Sequence, residues 1–342
     1  MSIPTQADTQ TRVTAALDWS QQQIGAFEVE PLRVEASHRL FFRLVRASGT
    51  VVLMVSPPEL ENNASFVALT ELFALHGVGV PELIARDDQL GAFLLSDLGT
   101  VHLADVYSSP DEAAAVQLAL DSIHIVQTVP QQQLQPYTTE RLLMELGIFT
   151  EWFVGGLLVD AALAEPELTH IQQDMDAIAA HLVPAIDQGP KACVHRDYHS
   201  RNLLLTQAGA LGVVDYQDAL WGPACYDVAS LLYDCYHEFG DQQVADYAEY
   251  FRSRSNLFAA FTTAEFAQSL ATTALQRQIK AIGIFARLYL RDKKASHLPH
   301  ILPNLRRART LAHTIGADQL DHLLEICTNH AAQLSVLRVP AR

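Results

Sequence analysis

The sequence predicts an α+β protein, with a small antiparallel β-sheet lobe first and a larger, mainly helical lobe after it. Three observations lead there. Residues 32–55 hold three short β-rich runs joined by two tight connections, the pattern of an antiparallel meander. From about His102 onward the apolar residues recur mostly at helical spacing. Between these regions Ser96-Asp97-Leu98-Gly99 reads as a hinge, which places the domains at 1–98 and 99–342.

The elements follow in order. Val13, Ala16, Leu17 and Ile24 give a leading helix over Thr9 to Ile24. Strands are expected at Leu32 to Val34, Leu40 to Val45 and Val51 to Val55, the last ended by Pro57-Pro58. Asn63 to His76 carries Phe66, Leu69, Leu72, Phe73 and Leu75 at helical spacing, with Gly77 placed as its C-cap. Two more strands, Glu82 to Arg86 and Ala92 to Leu95, complete the small lobe. Beyond the hinge, helices are expected near 111–128, 138–163, 167–188, 224–238, 241–254, 262–291 and 316–334.

At 342 residues the chain can bury a large core, and its formal net charge of -16 argues against a nucleic-acid or anionic-membrane partner. No apolar run approaches the roughly 20 residues that a spanning helix needs. The polar start lacks the apolar segment of a signal peptide, so a cytoplasmic protein is expected. Cys193, Cys225, Cys235 and Cys327 show no metal-ligand spacing and read as buried free thiols.

The chemistry centres on His195-Arg196-Asp197 with Asn202, then Leu203 to Leu205, then Leu211 to Val214 ending in Asp215. This H-x-D-x-x-x-x-N loop, followed by two short strands and an aspartate, is the phosphoryl-transfer order of a bilobal protein-kinase-like fold. In that reading Asp197 takes the proton of an acceptor hydroxyl. Asn202 and Asp215 hold Mg2+ bridging the phosphates of ATP, since magnesium favours sparse oxygen ligands completed by phosphate and water. His195 and Asp227 read as supports of the loop. An inactive scaffold that retains these residues is the alternative.

Other parts of a nucleotide site are less marked. The connection holding Ser37 and Arg39 occupies the position of a phosphate-covering loop, although an ordinary hairpin turn fits it as well. The third strand, Val51 to Val55, lacks the lysine that protein kinases place there, leaving Arg39 or Arg43 as substitutes. Ser96 and Leu98 would offer backbone groups to the base. Asp218 could touch substrate or simply form a turn.

These residues resemble the aminoglycoside phosphotransferase and choline-kinase-like family. Ala36 to Arg43, Pro57-Pro58-Glu59, Leu94 to Gly99 and Glu145 to Phe153 are similar to the bacterial anomeric sugar kinases within it. Those phosphorylate the C1 hydroxyl of N-acetylmuramate and N-acetylglucosamine in peptidoglycan recycling. The resemblance implies an ATP- and Mg2+-dependent kinase, an amino sugar as small-molecule partner, and a monomer. It points to Glu145, Phe149, Trp152, His199, Asp218 and Trp221 as the substrate site, which needs carboxylates and an aromatic face. Phe149 and Trp152 also fit a hydrophobic core. An aminoglycoside, choline or another hydroxylated acceptor remains open.

Overall fold

The chain opens with α1 (Gln6–Ile24), β1 (Glu28–Pro31), β2 (Leu40–Arg46), β3 (Gly49–Val55), α2 (Asn63–Leu75), β4 (Leu83–Asp87), β5 (Ala92–Ser96) and β6 (Val101–His102). It continues through α3 (Glu112–Val126), α4 (Thr139–Ile148), α5 (Glu165–Asp187) and β7 (Lys191–Val194). Then come β8 (Leu203–Leu205), β9 (Leu211–Val213), β10 (Leu220–Pro223) and α6 (Tyr226–Leu232). The chain closes with α7 (Asp241–Arg252), α8 (Thr263–Leu290), α9 (Ile301–Thr314) and α10 (Asp318–Ala331). This computed structural model describes residues 6–32, 38–161 and 165–338. No described helix is long and apolar enough to cross a membrane.

Two compact units result: Met1–Asp105 with Asn202–Gln217, and Val106–Arg201 with Asp218–Arg342. The chain thus passes between units inside the H-x-D-x-x-x-x-N motif. The return of 202–217 to the first unit follows from strand pairing, because β8 hydrogen-bonds to both β6 and β9.

In the first unit an antiparallel five-stranded sheet runs in the order β1-β2-β3-β5-β4. The period-2 alternation of strands sorts its faces. Val51, Leu53 and Val55 of β3 join Ala92 and Leu94 of β5 in one cluster with Val13 and Ala16 of α1. Phe93, one register step away, meets Phe66 of α2 edge-on at 5.8 Å. Each such large apolar side chain contributes about 1.5–3 kcal/mol on burial. Asn62 caps α2 by accepting the Ser65 N–H at 3.1 Å, and Gly77 ends it at φ +79°.

The first strand differs from expectation. It lies at Glu28–Pro31 and pairs with Phe42 to Val45, whereas Leu32 only adds one hydrogen bond, to Phe41, and 33–34 fall outside the described residues. Its four residues are all exposed at the sheet edge, so the Glu-Val-Glu-Pro pattern carries none of the apolar density of a buried strand.

The second unit is arranged about α8, which starts at a Thr262–Glu265 capping box and is buried along most of its length. Gly283 permits its close approach to the segment after α4. A Cβ there would sit 2.5 Å from the Phe149 backbone nitrogen. The helix expected across 138–163 therefore divides. After α4 the backbone widens into a π-helix, Phe149–Leu157, and tightens to a 3-10 turn, Leu158–Ala161. The Gly155-Gly156 pair removes the side chains that favour a regular helix there. Helix α6 stops at Leu232, short of the expected 238, because the Asp234 carboxylate accepts the Tyr236 N–H at 2.9 Å and turns the chain. Strands β6, β7 and β10 and helix α9 were not anticipated. Two residues suffice for β6. Strand β10 contains Gly222 and Pro223, and the apolar positions of α9 are diluted by Arg306, Arg307 and Arg309. Cys193, Cys225 and Cys327 are buried, while Cys235 is partly exposed.

Candidate active site

In the second unit β7 delivers the chain to His195, which is fully buried. The Asp227 carboxylate, in the first turn of α6, accepts the backbone N–H of His195 at 2.7 Å and of Arg196 at 3.0 Å. Burial nevertheless drives its pKa above the ordinary aspartate value. His195 Nδ1 accepts the Asp197 N–H at 3.3 Å, and Asp234 accepts the Ser200 N–H at 2.9 Å. Tyr198 anchors the loop from below by donating to the Ala119 carbonyl at 2.9 Å. Arg196 sits at φ +79°, a left-handed conformation rare for such a side chain. Strain of this kind persists where surrounding bonds over-determine it. The two buried carboxylates supply those bonds.

Arg196 turns its guanidinium inward. It donates to Glu145 at 2.7 Å and to the Asp218 carbonyl at 3.3 Å, and lies over the Tyr137 ring at 5.3 Å. Glu145, 2% exposed, also receives Lys280 at 3.3 Å and the Tyr137 hydroxyl. Burial pushes the Glu145 carboxyl pKa up, but Lys280 and Arg196 outweigh it and hold the value below the ordinary range. Asp197 is partly exposed at the edge of this cluster. Burial raises its pKa too, and the charges of Lys280, Arg196, Arg277 and His199 overcome that and keep it low. Asp197 is therefore a stable carboxylate and a weak base.

In the first unit Asn202 and Asp215 meet, with the Asn202 amide donating to the Asp215 carboxylate at 3.4 Å. The other Asp215 oxygen accepts from Gln217 at 2.7 Å. Asp215 is exposed and left-handed at φ +66°, a conformation aspartate tolerates better than most residues. The pairing arises because Val214 donates its N–H to the Asn202 carbonyl at 3.0 Å, joining the start of β8 to the end of β9.

The expected nucleotide residues also lie in this unit. Ser37 falls outside the described residues. Arg39 is 4% exposed; its Nε reaches the Ser56 hydroxyl at 3.3 Å and Glu61 at 3.5 Å, and its guanidinium lies over the Phe66 ring. Arg43 is engaged by the hinge, donating to both Asp97 oxygens at 2.6 and 3.2 Å and to the Gly99 carbonyl at 3.0 Å. The Ser96 hydroxyl accepts the Glu82 N–H at 2.8 Å. Leu98 lies over Gly212 of β9, where a Cβ would come within 2.8 Å of its Cδ1.

The Arg43–Asp97 pair gives a pH-dependent prediction. Burial raises the Asp97 carboxyl pKa, but hydrogen bonds from Arg43 and the Gly99 N–H more than reverse this, leaving it below its ordinary value. A folded-state value below the unfolded one stabilises fully at neutral pH, and this contribution drains away as pH falls below about 4. Asp97→Asn should cost about 1–2 kcal/mol at pH 7, and the gap to wild type should close in acid. Urea unfolding at pH 7 and pH 3.5 measures it; a pH-independent gap would remove the ionised pair as its cause.

The other substrate candidates, all in the second unit, are scattered in accessibility. Phe149 is fully buried against Phe153, with ring centroids 5.0 Å apart, and so belongs to the core. Trp152 is partly exposed and Asp218 exposed. His199 meets the Tyr236 ring edge-on at 5.4 Å. Trp221 is partly exposed on β10, its backbone bonded to Gln135 and Tyr137. Sequence reading missed Lys280, Arg277, Tyr137 and Asp234. The one available signal was Arg277 and Lys280, three positions apart, in the middle of a long helix rich in apolar residues.

Known proteins resemble this chain in sequence and in fold. The model of the phosphotransferase enzyme family matches residues 28–265. The N-acetylmuramate/N-acetylglucosamine kinase of Neisseria meningitidis serogroup B is 35% identical over 285 residues, covering 80% of this chain and 83% of its own. Its counterpart in Pseudomonas aeruginosa is 33% identical over 275 residues, covering 79% and 80%. A solved choline/ethanolamine kinase family protein from Mesorhizobium loti superposes with a TM-score of 0.60 at 13% identity, covering 91% of this chain and 99% of that one. The chain belongs to the phosphotransferase enzyme family and has its kinase-like α+β fold. It is a phosphotransferase acting on a hydroxyl acceptor.

Proposed function

We propose that the protein is an ATP- and magnesium-dependent sugar kinase that phosphorylates the anomeric hydroxyl of N-acetylmuramate and N-acetylglucosamine, serving peptidoglycan recycling in the cytoplasm. The observation that carries this reading is the sequence match to two relatives named for these sugars, each spanning about 80% of both chains, and the cations around Asp197, which hold its pKa low, fit it. A carboxylate so weakly basic suits an acceptor more acidic than an ordinary alcohol, and an anomeric hydroxyl is one. A cationic acceptor such as an aminoglycoside or choline is disfavoured, because Arg196, Arg277 and Lys280 already place positive charge beside Asp197.

In this reading Asp197 orients the C1 hydroxyl and accepts its proton as the bond to phosphorus forms. Asn202 and Asp215 present hard oxygen donors of the kind magnesium selects, and would hold the ion. Bound there, magnesium neutralises charge on the phosphate oxygens. His195, Asp227 and Asp234 fix the loop so that Asp197 need not reorganise during the reaction. The hinge at Ser96 and Leu98 takes the base through backbone groups, and Arg39, now bonded to Ser56 and Glu61, would have to turn from them to reach a phosphate.

Phosphorus NMR with magnesium-ATP and each sugar, an aminoglycoside and choline tests the proposal. A sugar 1-phosphate signal is expected from both sugars. Product from the cationic acceptors alone would overturn the reading. Asp215→Ala should weaken magnesium-dependent nucleotide binding by tenfold or more, about 1.4 kcal/mol; calorimetry showing the same magnesium dependence as wild type would remove Asp215 from the metal site.

A further inference from the structure

Arg277 and Lys280 lie one turn apart on α8 and are 8% and 6% exposed. Both stand over the ring of Tyr226, at 5.1 and 5.8 Å from its centroid. Their polar partners differ. Lys280 reaches Glu145 and the Tyr226 hydroxyl, each at 3.3 Å. Glu145 is shared with Arg196, and Asp227 is occupied by two backbone N–H groups. Asp197 and Asp227 both face Arg277 by charge, yet its buried Nε has no hydrogen-bond acceptor among the described residues. A guanidinium removed from water with a donor unmet is costly. An acceptor that arrives with a ligand relieves that cost.

We propose that Arg277 recognises a carboxylate of the bound acceptor, and so sets the preference for an acid-bearing sugar over its neutral counterpart. The inference rests on the sugar-kinase reading above. N-acetylmuramate and N-acetylglucosamine differ by a lactyl ether, whose carboxylate only the first carries. The planar guanidinium fork matches a carboxylate through two parallel hydrogen bonds, which a lysine cannot reproduce. Placement also favours the acceptor over the nucleotide. Arg277 shares its unit with Asp197, whereas Arg39, Ser96 and Leu98 belong to the other. Lys280, bonded to Glu145, holds the neighbouring charge in place, leaving the Arg277 Nε as the donor to be met.

The test compares both sugars in Arg277→Gln and Arg277→Lys at saturating magnesium-ATP. The ratio of kcat/KM for N-acetylmuramate to that for N-acetylglucosamine should fall tenfold or more in Arg277→Gln, and less in Arg277→Lys. Taking the ratio cancels any loss common to the two sugars, including partial misfolding. If Arg277→Gln does not fold, Arg277→Lys alone still reports a fallen or an unchanged ratio. An unchanged ratio in a variant that still turns over N-acetylglucosamine would overturn the proposal, assigning Arg277 to the transferred phosphoryl group or to the fold. A wild type that phosphorylates neither sugar would instead overturn the sugar-kinase reading, and this proposal with it.

Discussion

Asp197→Asn should lower kcat by about 100- to 10,000-fold, the range that a positioned general base supplies. Asparagine preserves the size of the side chain and its capacity to accept a hydrogen bond, but it takes no proton at neutral pH. The loop itself is held by its backbone N–H groups, which donate to the carboxylates of Asp227 and Asp234 and to the His195 ring, and the substitution leaves these bonds in place. Folding and nucleotide affinity should therefore stay close to wild type, which separates loss of chemistry from loss of structure. The pH profile adds a second expectation. The cations around Asp197 keep its pKa low, so wild-type kcat/KM should not fall through protonation of this group between pH 7 and 5. A coupled assay of nucleoside diphosphate release, with calorimetry of nucleotide binding, measures both. Turnover within tenfold of wild type would remove Asp197 as the base.

Glu145→Gln should have the largest effect on stability, a loss of about 3–5 kcal/mol. Glu145 is the shared counter-ion of Arg196 and Lys280, all three buried and in one unit. A neutral amide keeps the shape but leaves two cations in low dielectric without their anion, the case in which breaking a buried pair is most costly. It also turns an acceptor-only group into one bearing donors that face Lys280 and the Tyr137 hydroxyl. Adding Lys280→Met should recover part of the loss, because the second change removes one of the stranded charges. Urea unfolding of the single and double variants decides. A cost below about 1 kcal/mol for Glu145→Gln would mean that water or rearrangement screens the cluster, as for exposed pairs.

The candidate site was legible where its chemistry is local in sequence. His195 to Asn202 are consecutive residues of one loop, and two three-residue strands lead from Asn202 towards Asp215, so spacing alone groups them. The charged cluster was not legible in this way. Glu145 was singled out only through a resemblance and as a substrate ligand, yet it lies 51 residues from Arg196, to which it bonds. Lys280 and Arg277 come from a helix whose apolar run reads as plain core. No periodicity announces a pairing made by tertiary packing. The fold shows the same division. Helix α2, with apolar residues at helical spacing and a closing glycine, was legible along its length. β1 is an exposed edge strand, stabilised by its ladder rather than by apolar burial, and its position was misread. Arg43 was considered for phosphate because its charge is visible in the sequence, whereas the Asp97 that occupies it is 54 residues away.

The discontinuity of the first unit bears on how the protein is made. Strands β8 and β9 belong with the N-terminal residues, but 106–201 are translated before them. A growing chain can assemble the five-stranded sheet as soon as β5 has emerged. It must then wait while nearly a hundred residues of the other unit are synthesised before β6 gains its partner and Asn202 meets Asp215. Domain-by-domain folding in order of synthesis is thus closed to this chain. The carboxylate–amide pair is among the last contacts that its first unit can form.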